Sequence, residues 1–258
     1  MPTYELLRFD SPSSLAQAAA ASWLDALQAA PAQDQPRCVA LSGGRIAQTF
    51  FSAIVENARK RAVSLARVHF FWADERCVPP SDAESNFALA EKWLLRPLQI
   101  AANRVHRISG EIRPEDAARE ASAELRRVAP PNAAGQPVLD TLFLGMGEDG
   151  HVASLFPDTP VGQIDLEEVY KAVTGSKPPP QRVTLTYGAI SAAREVWVLA
   201  SGPGKAEALR ASLGSGDQTP LGRVLRMRGQ TKIFTDIVLA ETVEKAGLYP
   251  KKILLKKI

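Results

Sequence analysis

The chain of 258 residues is short of the side chains that build disulfide frameworks and metal centres: it has two cysteines and three histidines. Cys38 and Cys77 cannot make a disulfide framework, and neither has metal-ligand spacing to a histidine, so both read as reduced, buried thiols. His69, His106 and His151 stand far apart and carry no paired motif, so neither a metal nor another cofactor is implied. No apolar run approaches the roughly 20 residues that span a bilayer. The segment Met1-Pro-Thr-Tyr-Glu-Leu-Leu-Arg8 lacks a charged leader followed by an apolar core, so the reading is no membrane and a cytoplasmic location. An excess of charge is also missing. The 31 Lys and Arg against 28 Asp and Glu leave a net +3, spread along the chain, which argues against a nucleic-acid partner.

What is present is apolar mass: 45% of the residues are hydrophobic, and 258 residues suffice for one large α/β domain or two small ones. Residues 1–258 read as a single domain, because the breaks at Ala129-Pro-Pro-Asn-Ala-Ala-Gly135 and Lys177-Pro-Pro-Pro180 look like loops rather than linkers. Residues 251–258 place four lysines around four aliphatic side chains and form a basic terminal extension. They suit either a short amphipathic helix on a partner surface or a solvated terminal turn. The assembly expected is a monomer or a small homo-oligomer.

Hydrophobic spacing alternates between strand and helix. Ser11-Pro-Ser-Ser14 caps a helix over 13–30 with Leu15, Trp23, Leu24 and Leu27 in helical register. Val39-Ala-Leu-Ser-Gly-Gly44 reads as a strand running into a glycine turn, and residues 46–60 as a helix with Ile46, Phe50, Ile54 and Val55 inward. A strand over 65–72, a polar loop over 74–86 and a helix over 87–95 follow. Then come a helix over 114–128, a strand over 139–144, a strand over 196–201 and a helix after Gly204. This pattern predicts an α/β fold: a Rossmann-like, doubly wound, mostly parallel sheet with helices on both faces.

Chemistry concentrates where such strands end. In Leu144-Gly-Met-Gly-Glu-Asp-Gly-His-Val-Ala-Ser-Leu-Phe-Pro157, a buried strand is followed by a tight turn with three glycines, two carboxylates and a histidine. His151 sits just past a carboxyl end, where open α/β sheets bind ligands and where an imidazole suits acid/base work. Ser42-Gly43-Gly44 precedes a helix and suits an anion through its backbone N–H groups. Asp74-Glu75-Arg76, with Ser85-Asn86 a loop later, suits a hydroxylated anionic ligand, or else a structural ion-pair network. Arg182 and Lys205 add positive charge, and each of these segments is expected at a strand end. Taken singly, each also reads as an ordinary turn or a solvated charge.

Together and in this order the segments resemble the 6-phosphogluconolactonase family of the glucosamine-6-phosphate isomerase superfamily. The resemblance runs from about residue 37 to 210. It is most specific over Gly145–Pro157 and over Asp74-Glu-Arg-Cys-Val-Pro79 with Ser85-Asn86. It implies hydrolysis of 6-phospho-D-glucono-1,5-lactone to 6-phospho-D-gluconate, in the oxidative pentose phosphate pathway, by general-base activation of water. His151 is then the base, and Asp149 or Glu148 orients it. Asp74 and Asn86 hold sugar hydroxyls or the water, and N–H groups around Gly147 face the oxyanion. Arg76, Arg182 and Lys205 hold the phosphate with Ser42, Gly43 and Gly44. One departure stands out: the family continues Ser-Gly-Gly with Ser-Thr-Pro, whereas this chain has Arg45-Ile46-Ala47, so a guanidinium replaces a hydroxyl.

Two rival readings are weaker. Glucosamine-6-phosphate deaminases have Asp-Glu-Tyr in place of Asp74-Glu75-Arg76, and Ile-Gly-Phe-Asn-Glu-Pro in place of Val152–Pro157, so a glutamate they need is missing here. A sugar-phosphate-binding sensor would carry a DNA-reading helix pair ahead of this fold, and the stretch before the first strand read above is alanine-rich with few positive charges.

Overall fold

The computed structural model describes residues 3–30, 35–158, 168–214 and 219–239. Among the described residues the strands are β1 (Thr3–Arg8), β2 (Arg37–Leu41), β3 (Val68–Trp72), β4 (Asp74–Arg76), β5 (Thr141–Gly145), β6 (Tyr170–Thr174), β7 (Gln181–Leu185), β8 (Glu195–Ala200) and β9 (Gln230–Thr235). The α-helices are α1 (Pro12–Ala29), α2 (Arg45–Lys60), α3 (Asn86–Ala90), α4 (Pro114–Val128), α5 (Tyr187–Ala192), α6 (Ala206–Leu213) and α7 (Pro220–Met227).

Six strands form a parallel sheet in the order β1-β9-β8-β5-β2-β3. From β2 the chain winds outward to β3, returns past β2 to β5, and then winds the other way through β8 and β9. This is the doubly wound, Rossmann-like arrangement, and its direction reverses between β2 and β5. Loops leaving the carboxyl ends of strands on either side of such a reversal diverge and leave a crevice.

Why the centre is buried follows from its side chains. Cys38, Val39, Ala40 and Leu41 of β2 and Leu142 of β5 are fully buried, as strands covered on both faces must be. Phe143 of β5 gathers one face of the core. Trp23 of α1 meets it edge-on at 5.5 Å, Phe50 of α2 packs at 4.8 Å, and Trp197 of β8 stands perpendicular at 5.7 Å. The start of α1 is fixed by a capping box in which Ser11 and Ser14 satisfy each other's backbone N–H groups.

A second, antiparallel sheet has the order β4-β7-β6. Ala73 passes the chain between the sheets: its N–H donates to Leu41 O at 2.7 Å, while its carbonyl accepts from Leu185 N at 2.7 Å. The polar loop expected over 74–86 therefore begins as a strand. Three alternating polar residues carry no hydrophobic signal, but their backbone groups pair with β7. The helix expected over 87–95 is α3 followed by a π-turn over Glu91–Leu95. Arg182 was expected at a strand end and instead lies within β7.

Cys38 is buried, but Cys77 is only partly so. The histidines are not all independent. The parallel bridge Phe70↔Val105 brings His69 Nδ1 within 2.8 Å of His106 Nε2, and His106 Nδ1 lies 2.7 Å from Glu124 Oε1. Long-range pairing, invisible in the spacing along the chain, puts them together. None of the described helices is long and apolar enough to cross a membrane. The lysine-rich segment 251–258 lies outside the described residues.

Candidate active site

Four loops meet at the carboxyl edge of the large sheet. They follow β2, β3, β5 and β8 and, together with β7, enclose one cleft lined by Ser42, Gly43, Gly44, Arg45, Asp74, Arg76, Asn86, His151, Arg182 and Lys205. Two predicted residues, Gly147 and Asp149, stand behind that lining and shape it.

The loop after β5 holds the histidine. Asp149 Oδ1 lies 2.5 Å from His151 Nδ1 and also accepts from the His151 backbone N–H at 3.3 Å. A carboxylate on Nδ1 selects the tautomer with its proton there, which leaves Nε2 free to accept one. Glu148, the other candidate for orienting the ring, instead lies beside Gly204. Gly147 donates its N–H to His151 O at 2.9 Å, so it cannot serve an oxyanion as expected. Its contribution is the absence of a side chain under the imidazole. Burial pushes the His151 pKa down, Asp149 pulls it up, and Lys177 pushes it down again. Burial also opposes the charge on Asp149. Hydrogen bonds from Lys177 and His151 outweigh that cost and hold its carboxyl down at about 2.

The strand pair β4 and β7 builds the opposite wall. Asp74 is buried and faces the cleft, accepting from Ser154 Oγ at 2.7 Å and from Asn86 Nδ2 at 3.4 Å. Its neighbour Glu75 points the other way, as alternation along a strand requires. Glu75 accepts from the N–H groups of Arg76, Asn86 and Phe87, each at 2.8 Å, and from Ser85 Oγ at 3.0 Å. It is the anchor that turns the chain into α3 and sets Asn86 over Asp74.

Arg76 and Arg182 are direct partners in the β4–β7 register. Like charges opposite each other in an antiparallel pair repel. Both line the cleft, and Arg76 Nε is buried with no acceptor among the described residues. Its Nη1 is held by the carbonyl and carboxylate of Glu84 at 2.6 and 3.3 Å. Arg182 also fastens the neighbouring loop, donating to Ser154 Oγ and to the carbonyls of Lys177, Pro178 and Pro179.

The remaining wall is the start of α2 and the loop after β8. No side chain caps α2, and Gly44 takes φ +99°, turning the first N–H groups of a 16-residue helix toward the cleft edge. Ser42 donates its hydroxyl to Phe143 O at 2.9 Å, locking this loop onto β5. Gly43 has to lack a Cβ, which would fall 1.8 Å from Asn86 Oδ1. Asp236, just past β9, ties down the loop of Lys205 by accepting from Ser201 Oγ at 2.9 Å and Gly202 N at 3.0 Å. Lys205 has its pKa lowered by burial and then by nearby Arg45. Among the described residues the cleft thus presents four cationic side chains, Arg45, Arg76, Arg182 and Lys205, against the carboxylate of Asp74. Among the described residues no three His, Cys, Asp or Glu side chains form a metal-ligand set.

Sequence reasoning leaves out Ser154, Phe156, Lys177 and Asp236. Ser154 lies within the His151 motif and was open to notice there, but Asp236 and Lys177 act across long sequence separations and carry no local signal.

The fold and this cleft define a Rossmann-like α/β protein with a cationic crevice at its switch point. Residues 10–233 match the model of the family described as glucosamine-6-phosphate isomerases/6-phosphogluconolactonase. The chain is 37% identical over 244 residues to the 6-phosphogluconolactonase of Streptomyces coelicolor, covering 92% of this chain and 93% of that protein. It is 35% identical over 216 residues to that of Mycobacterium tuberculosis, covering 81% and 85%. The solved 6-phosphogluconolactonase of Trypanosoma cruzi superposes with a TM-score of 0.78 at 26% identity, covering 91% of this chain and 95% of that one. The chain belongs to the glucosamine-6-phosphate isomerase/6-phosphogluconolactonase family.

Proposed function

We propose that this chain is an enzyme that hydrolyses 6-phospho-D-glucono-1,5-lactone to 6-phospho-D-gluconate, the lactonase step of the oxidative pentose phosphate pathway. The observation that carries the reading is the carboxylate-held His151 facing a cleft of four cations. The named relatives support it, since they are 6-phosphogluconolactonases.

A δ-lactone needs no covalent nucleophile. His151 Nε2 takes a proton from water as the water oxygen bonds to C1, and the carbonyl oxygen becomes an oxyanion. Collapse breaks the bond from C1 to the ring oxygen, which leaves with the proton returned by His151. Asp149 fixes the tautomer, and Asp74 stabilises the imidazolium between the two transfers. Asn86 and Asp74 bind sugar hydroxyls. The 6-phosphate sits between Arg76 and Arg182 and against the start of α2, with Arg45 and Lys205 completing the positive field. Binding a remote phosphate orients C1 at the histidine. The location we propose is the cytoplasm. The two cysteines, Cys38 and Cys77, are both free, which suits a reducing compartment.

The test generates the lactone in situ and compares its disappearance with the spontaneous rate and with the His151→Ala variant. Acceleration that vanishes in the variant supports the reading; a rate equal to background in the parent protein overturns it.

A further inference from the structure

We propose that Lys177 is a positioning residue of this site, a cation seated on the outer oxygen of Asp149 so that the carboxylate can orient the imidazole without drawing a second proton onto it. The inference rests on the reading of His151 as the base.

The geometry is a three-membered line. Lys177 Nζ lies 3.0 Å from Asp149 Oδ2, and Asp149 Oδ1 lies 2.5 Å from His151 Nδ1. Lys177 belongs to the loop between β6 and β7, far in sequence from the histidine. That loop is fixed by groups other than the lysine side chain. Gly175 N donates to Pro180 O at 2.7 Å, and the Arg182 guanidinium donates to the carbonyls of residues 177, 178 and 179 at 2.9 to 3.3 Å. Phe156 is the shared wall: its ring centroid lies 4.8 Å from that of His151, and the Arg182 guanidinium stacks on it at 5.4 Å. Gly175 permits that packing, because a Cβ there would come within 2.5 Å of the Phe156 ring. The loop, the ring wall and the histidine are therefore one packed unit that holds the ammonium in place.

A base must be neutral to work, yet a carboxylate on Nδ1 favours the protonated ring. The charged groups around His151 are Asp149 from its own loop, Asp74 from β4, Lys177 from the β6–β7 loop, and the cleft cations Arg45, Arg76, Arg182 and Lys205. Asp149 and Asp74 favour the imidazolium, and Lys177 opposes it through the atom that would otherwise carry uncompensated charge. Asp149 would not leave if Lys177 were neutral, since it is also held by the His151 backbone N–H. Removing the ammonium leaves the same hydrogen bond with one cation fewer, so the ring becomes easier to protonate. The Lys177 side chain is 47% exposed, so its pair with Asp149 contributes little to folding. Its effect is on the ring.

The experiment compares Lys177→Met, Lys177→Gln and Lys177→Arg in the full chain. The ring proton on Cε1 of His151, assigned by its loss in His151→Gln, is titrated by NMR, and the acid limb of kcat/KM is measured alongside. Both neutral variants should raise the ring pKa by about 0.5 to 1 unit and move the acid limb upward with it. Lys177→Arg should restore the parent values, and thermal midpoints should stay unchanged. An unmoved or lowered ring pKa in the neutral variants overturns the proposal, as does an equal shift in Lys177→Arg. The ring titration does not depend on turnover. A parent protein without lactonase activity would sink the base assignment, while the NMR result would still decide what Lys177 does to His151.

Discussion

A methyl group on Gly147 would coincide with the His151 ring: a Cβ built there lies 2.0 Å from Nδ1 and 2.1 Å from Cε1. It would also fall 2.5 Å from Asp149 Oδ1. Glycine is required at 147 by the imidazole above it.

Gly147→Ala is therefore expected to displace the His151 ring, the proposed base, while leaving the cationic wall intact. Because misplacement by about 1 Å costs on the order of 100-fold in rate, kcat should fall by about that factor with KM nearly unchanged. Steady-state kinetics on the phosphorylated lactone check this. A parallel rise in KM would place the damage in binding instead.

Arg76 offers a buried Nε without an acceptor among the described residues and faces Arg182 across the β4–β7 pair. Arg76→Ala should raise KM for the phosphorylated lactone by about 10- to 100-fold, the worth of one charge-assisted hydrogen bond. It should do little to the phosphate-free gluconolactone. Equal losses on both substrates would remove Arg76 from the phosphate.

Glu75 is 2% exposed, and its pKa is raised chiefly by burial, against the backbone N–H groups that stabilise its charge. Glu75→Ala would strand three of those N–H groups and the Ser85 hydroxyl. The variant should lose at least about 3 kcal/mol of stability, since each buried unpaired donor costs about 1–3 kcal/mol. Urea unfolding followed by tryptophan fluorescence measures it. A loss under about 1 kcal/mol would mean that water replaces the carboxylate there.

His106 stacks on Phe71 at 4.4 Å and bonds to His69 and Glu124, and burial lowers the pKa of both histidines. A histidine with a lowered folded pKa leaves the unfolded chain to take up the proton first. The associated stability is complete above about pH 6.5 and declines as pH falls below it. Denaturant melts between pH 7.5 and 5 should show this decline, and His106→Asn should make it shallower. Glu124 acts in a separate window: it is held down at about 2 by Arg127 and then His106 against burial, so its contribution fades only below about pH 4.5. Identical slopes for parent and variant between pH 7 and 5 would exclude the histidine pair.

The parallel sheet was legible because its central strands are unbroken apolar runs, as in Val39-Ala-Leu41 and Leu142-Phe-Leu144, each running into a glycine-containing turn. The loops after them could be read as a site for the same reason. The small sheet was not legible. Asp74-Glu75-Arg76 has a side chain destined for the cleft, one for a helix cap and one for the cleft again, so no apolar alternation marks it. Strands β1 and β9 were missed because Thr3–Arg8 and Gln230–Thr235 mix polar and apolar residues. Asp149 and His151 were visible together since two positions separate them, whereas Lys177 announced only a proline-rich loop. The pairing of His69 with His106 depended on a bridge between segments that share no motif.

Strand β1 is first among the described elements, and its one described neighbour in the sheet is β9, with Thr3 opposite Gln230. During synthesis the ribosome releases β1 long before the strand that will pair with it. Its hydrogen-bonding edge waits unpaired while the chain from β1 to β9 is made, which favours slow, late completion of the sheet. A chain cut before residue 230 would carry all four cleft loops and still be unable to close that side of the sheet.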